Sequence, residues 1–184
     1  MTNPMDPLDL PRIDRLDWPR HPAGTYPILV CVEFDETGSN ALRHALRLAE
    51  THGRAPVEVA HIVADKSTSG SSGVIARHTR ELEEATKRLS DFAAGHIGES
   101  RIDVRLHVRI GDVVQNIFQL AVDYDVELIV VGTHGRTGAR KLAFGSIAQR
   151  LVEAAHCPVL IAAPRDFTGL TPTMLPDPPR PSSP

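Results

Sequence analysis

Four residues are spaced so that they could hold a phosphate group: Gly132, Gly135, Gly145 and Ser146. Gly132 lets the chain leave a strand tightly, and Gly135 permits a close backbone approach or a turn with positive φ. Gly145 removes a side chain just before a helix, and Ser146 can cap that helix and add a hydroxyl donor. A helix N-terminus offers an anion unpaired N–H groups and roughly half a positive charge. Arg136, Arg140 and Lys141 lie between these glycines and could balance phosphate charge. His134 sits inside the loop and could touch a phosphate or ribose, or serve only as a turn residue. The spacing is not that of a Walker A loop, because no Gly-Lys-Ser/Thr follows a Gly-x4-Gly, and it is wider than the GxGxxG of dinucleotide folds.

Such a loop needs a strand before it and a helix after it. Val126 to Val131 is an apolar run that reads as a buried strand, and Pro158 opens a second one. Upstream, Pro27 to Glu33 is a third apolar run, expected as a central strand. Ser39 is a plausible cap for the helix after it, whose apolar stripe runs through Ala41, Ala45, Leu48 and Ala49. Val57 to Val63 reads as the next strand. After a polar loop, Ile75, Leu82, Leu89, Phe92 and Ala93 mark one face of a long helix. Residues 101–110 alternate strictly, with Arg101, Asp103, Arg105, His107 and Arg109 on a face expected to be solvated, so this strand belongs near a sheet edge. A helix beginning at Gly111-Asp112 leads back to Val126. The order β-α-β-α-β-α-β-α-β implies a doubly wound α/β fold: a five-stranded parallel sheet, order 3-2-1-4-5, with helices on both faces. Its topological switch point falls between the first and fourth strands, where the glycine loop emerges.

The chain has 184 residues with a formal net charge of −3. That is enough for one domain with a sizeable core, and it argues against a general nucleic-acid binder. No apolar run approaches the ~20 residues of a membrane span. The two cysteines, Cys31 and Cys157, suggest neither a disulfide framework nor a zinc site, so a cytoplasmic location is expected. Six of the 15 prolines lie in residues 1–27 and seven in 164–184. That uneven placement implies a proline-rich N-terminal arm (1–25), a compact domain (26–164) and a proline-rich C-terminal tail (165–184). The arms are candidates for docking a protein partner. The nine histidines are scattered over different elements and are not expected to bind metal. No Cys/His/Asn order or GxSxG elbow is present, so no catalytic residue is assigned.

The stretch VELIVVGTHGRTGARKLAFGSIAQRLVEAAHCPVLIA, with G-x2-G-x9-G-[ST] inside it, resembles the ATP-binding branch of the universal stress protein family. ILVCVEFDETGSNALRHALRLA resembles that family's opening strand and first helix, and the likeness covers about residues 26–163. The resemblance implies an adenine nucleotide alpha hydrolase-like fold and a site for ATP or another adenosine nucleotide. Val32 and Glu33 would lie by the adenine or ribose, and Ile62 would help wall the adenine. Val131 and Gly132 would line the base and ribose side, with Gly135, Gly145, Ser146 and Ile147 at the phosphates. It also implies a homodimer paired through the last strand, Pro158 to Ala162, working as a stress-response sensor or regulator.

One departure concerns two acids. The family usually has aspartate where this chain has Glu33, and a small or hydroxyl residue where it has Asp35. Two acids beside a triphosphate would weaken its binding or call for Mg²⁺. Two other functions stay open on the sequence. One is a slow Mg-dependent nucleotide hydrolase or phosphotransferase using Asp35 or Glu33. The other is an interaction module that binds no nucleotide.

Overall fold

The computed structural model describes residues 24–65, 73–98, 100–133 and 145–163. Strands and helices alternate along the chain: β1 (Ile28–Cys31), α1 (Glu36–Thr51), β2 (Val57–Val63), α2 (Gly73–Ile97), β3 (Val104–Ile110), α3 (Val113–Asp123), β4 (Leu128–Gly132), α4 (Ser146–Ala154) and β5 (Val159–Ala162). The strands form one parallel sheet in the order β3-β2-β1-β4-β5, as the sequence pattern implies.

The central position of β1 and β4 follows from their composition. ILVC and LIVVG carry apolar side chains to both faces, and only a strand covered on both sides can bury them. Ile28, Val30 and Val32 join α1, Leu89 of α2, Leu128 and Val130 in one core. Leu29, Ile129 and Val131 join Ile117 and Leu120 of α3 and Leu151 of α4 in the other. Register places Cys31 beside Val131. The helices leaving these neighbouring strands pack on opposite faces, so the crevice beyond their carboxyl ends is the switch point.

Two local expectations change. α1 begins earlier than a Ser39 cap would have it. Asp35 is the N-cap, its carboxylate accepting from the Gly38 N–H (2.9 Å) and the Thr37 hydroxyl (2.8 Å), while Ser39 Oγ donates to the Asp35 carbonyl. A carboxylate three residues before a backbone N–H, at the positive end of a helix, outcompetes a hydroxyl placed further in.

The polar face of β3 is also not simply solvated. It lies toward α3, where Arg109 pairs with Asp123 (3.1 Å). Arg105 and His107 reach Glu58, a wholly buried carboxylate on β2. Strict alternation marks two unlike faces, and a buried acid on the neighbouring strand turns the polar one inward. The His107 ring also lies 4.6 Å from that of Tyr124. Desolvation first, and then the charge of Glu58, raise the Tyr124 phenol above its ordinary value.

Candidate functional site

The crevice is built by the first turn of α1 pressing against the ends of β1 and β4. A Cβ on Gly38 would stand 1.9 Å from the Glu33 carbonyl oxygen, so only glycine lets α1 fold back this closely on β1. A Cβ on Gly132 would stand 2.8 Å from the Thr37 carbonyl oxygen, so β4 and α1 are in backbone contact at the mouth of the crevice. Gly38, which in the sequence is one residue of a polar turn, shapes the crevice through this packing. Its signal was its place as the third helical residue after the Asp35 cap.

Glu33 is exposed at the end of β1. Val32 is buried in the core with α1 and α2. Its N–H donates to Ala60 (2.9 Å), and its carbonyl accepts from His61 Nδ1 (2.9 Å). Val131 is buried and Ile62 half-buried, both on the opposite face of the sheet, toward α3. The structure therefore brings Val32, Glu33, Val131 and Gly132 to neighbouring strand ends, with Ile62 one strand further out on β2.

On the other side of the crevice, Gly145 is the N-cap of α4 and makes no side-chain cap hydrogen bond. Ser146 is the first helical residue and exposed, so it does not serve as the cap. Ile147 is half-buried against the α3 side of the core. The first N–H groups of a helix have no partner inside the helix, and none of those of α4 is taken up by a side chain at its cap. His134, Gly135 and Arg136 lie outside the described residues, as do Arg140 and Lys141.

Two contacts brace this end of the sheet. Asn40, buried in α1, donates to the Ala163 carbonyl (2.8 Å) and ties α1 to the chain beyond β5. Asp112, the N-cap of α3, accepts from the Gln115 N–H (2.9 Å) and faces Arg150 of α4 (3.5 Å). The Gln115 bond, helped by Arg150, holds its carboxyl below the ordinary value.

A crevice of this kind can bind an anionic ligand by backbone donors. Among the described residues, no three His, Cys, Asp or Glu side chains converge to hold a metal ion. The Asp35 carboxylate is taken up in capping α1.

A model of the universal stress protein family matches residues 25–163, most of the chain. The chain belongs to the universal stress protein family. Universal stress protein A homolog 2 of Coxiella burnetii is 31% identical over 137 residues, covering 72% of this chain and 91% of that protein. Among solved structures, a family member from Burkholderia pseudomallei is 27% identical with a TM-score of 0.58, over 77% of this chain and 98% of the other. A universal stress protein in complex with cAMP superposes with a TM-score of 0.50 at 20% identity, over 77% of this chain and 98% of that one. The alternating parallel α/β fold is the one these relatives have. Among the described residues, no helix is long and apolar enough to cross a membrane.

Proposed function

We propose that this universal stress protein binds ATP, or a related adenosine nucleotide, in the crevice at the carboxyl ends of β1 and β4. The observation that carries the reading is the backbone contact between Gly132 and Thr37 at that crevice, together with an α4 N-terminus that has no side-chain cap. The phosphates lie along Gly132, Gly135, Gly145, Ser146 and Ile147, with Arg136 and His134 beside them. The base and ribose lie toward Val32, Glu33, Ile62 and Val131. A related protein that carries cAMP supports an adenosine ligand.

Val32 offers position rather than a free polar group, since its N–H and carbonyl are both engaged. Glu33 is therefore the side chain that reads the ligand at this end. Were Mg²⁺ to accompany a triphosphate, it would offset the charge that the acid Glu33 adds near the site. The chain acts as a cytoplasmic homodimer, β5 pairing with its copy across a two-fold axis. Such pairing covers an edge strand that is half-buried at Val159, Leu160 and Ile161. Binding is favoured over hydrolysis because the Asp35 carboxylate already caps α1 and is poorly placed to act as a base.

Titration calorimetry with ATP on the purified chain tests this directly. Saturable binding that is lost in Gly135→Val and in Gly145→Val, with the dimer retained, is the expected result. Binding that survives both substitutions overturns the phosphate cradle.

A further inference from the structure

A cavity of about 310 Å³ opens away from the nucleotide crevice, between the carboxyl end of β2 and one face of α2. Its walls include His61 and Asp65 from the β2 side and Arg77, Glu81, Glu84 and Arg88 from the helix. The volume lies at the lower end of the range for small-molecule sites, roughly 300 to 1,000 Å³.

Three charges on this wall, Glu81, Glu84 and Arg88, are not spent on one another. Glu84 and Arg88 are four residues apart on α2, the spacing and order that favour a pair. The Arg88 guanidinium instead lies over the Phe34 ring, 4.3 Å from its centroid. Phe34 is itself held by His61 (4.2 Å) and Phe92 (5.8 Å). Among the described residues, Arg88 meets no carboxylate, and Glu81 and Glu84 have no hydrogen-bond or ion-pair partner. Asp65, by contrast, is 3.5 Å from His78.

His61 gives the Nδ1 proton to the Val32 carbonyl, which fixes the ring and leaves its neutral form with an acceptor at Nε2. Beside Arg77 and Asp65, which have partners of their own, the cavity thus sets one stacked cation against two unpaired carboxylates. Two carboxylates without a partner suit an N–H cation.

We propose that this cavity binds a small zwitterion of the α-amino-acid class, its carboxylate on Arg88 and its ammonium between Glu81 and Glu84. Stacking on Phe34 pre-orders the guanidinium, so less side-chain freedom is lost when the carboxylate docks. A simple anion would be repelled by the two glutamates, and a simple amine would leave Arg88 unanswered.

The test uses the full chain. The standard amino acids are screened singly at millimolar concentration by thermal shift, beside sodium acetate and methylammonium chloride at matched ionic strength. Calorimetry then measures those that shift the protein. The expected result is a saturable stabilisation by at least one amino acid and none by either half-molecule. Arg88→Met and Glu84→Gln, both at exposed positions, should fold normally, weaken that binding by about tenfold or more, and leave ATP affinity unchanged. The proposal is overturned if no amino acid stabilises the protein, if acetate alone does as well, or if Arg88→Met binds as the parent does.

Discussion

The carboxylate of Glu58 on β2 is held by the imidazole of His107 on the neighbouring edge strand β3, beneath α3. Glu58 is wholly buried, and its other oxygen lies 3.4 Å from the Arg105 guanidinium. A buried carboxylate needs its donors, because solvent cannot replace them. His107→Leu removes one donor and leaves the charge in place, so it should destabilise the chain by about 3 kcal/mol. Glu58→Gln keeps the shape and removes the charge, and should cost less. Urea unfolding of the two variants measures this, and a loss under about 0.5 kcal/mol in His107→Leu, the range of an ordinary surface change, would show that the pair does not brace β3.

The glycines of the crevice should separate by how hard their neighbours are. Alanine at Gly38 places a methyl 1.9 Å from the Glu33 carbonyl oxygen, a backbone atom that cannot swing aside. α1 must shift, at a cost of about 3 kcal/mol. At Gly132 the same change meets the Thr37 carbonyl at 2.8 Å. A smaller shift suffices there, for about 1 to 2 kcal/mol, but it moves α1 at the nucleotide crevice. Gly132→Ala should therefore stay folded at room temperature and lose affinity for ATP. Unfolding curves together with calorimetry check both halves, and unchanged ATP binding in a folded Gly132→Ala would place the ligand elsewhere.

The thiols should be slow. Cys31 keeps some exposure as a residue, but burial of its sulfur pushes the thiol up to about 12. Burial also raises Cys157, just before β5, above its ordinary value. The thiolate is the reactive form, so at neutral pH neither cysteine should react with iodoacetamide at the rate of a free thiol. Cys31 should label only on unfolding. Mass spectrometry of the native and urea-treated chain reads this out, and rapid native labelling of Cys31 would contradict the packing at the end of β1.

What the sequence made legible follows from which forces are local. The unbroken apolar runs of β1 and β4 place those strands at the centre, since only a doubly covered strand can bury them. The alternation of residues 104–110 places β3 at an edge for the converse reason. The inward turn of Arg105 and His107 was not legible, because it depends on Glu58, 47 positions before Arg105 and 49 before His107. Gly38 was hidden for a similar reason, since its need for a bare Cα comes from the Glu33 carbonyl after the helix folds back. The capping competition between Asp35 and Ser39 was local, but it is decided by geometry at the helix end, which composition does not fix.

Asp112 makes the stability of α3 depend on pH, with a definite sign. Its carboxylate caps the helix through the Gln115 N–H and faces Arg150, and these contacts hold its folded-state value below the ordinary one of 3.8. A group whose folded value is depressed binds its proton more readily when unfolded. Its stabilisation is therefore fully present above the unfolded value and is lost as pH falls from there through the folded one. Asp112→Asn retains a side-chain acceptor for the Gln115 N–H but no charge, so the mutant should be slightly less stable at neutral pH. Its difference from the parent should shrink as pH falls below the ordinary carboxylate range. Asp112→Ala loses the cap altogether and should cost about 1 kcal/mol at neutral pH. Thermal unfolding of the three proteins between neutral and acid pH measures each difference. A gap between parent and Asp112→Asn that widens on acidification would reverse the sign and remove Asp112 as the titrating cap.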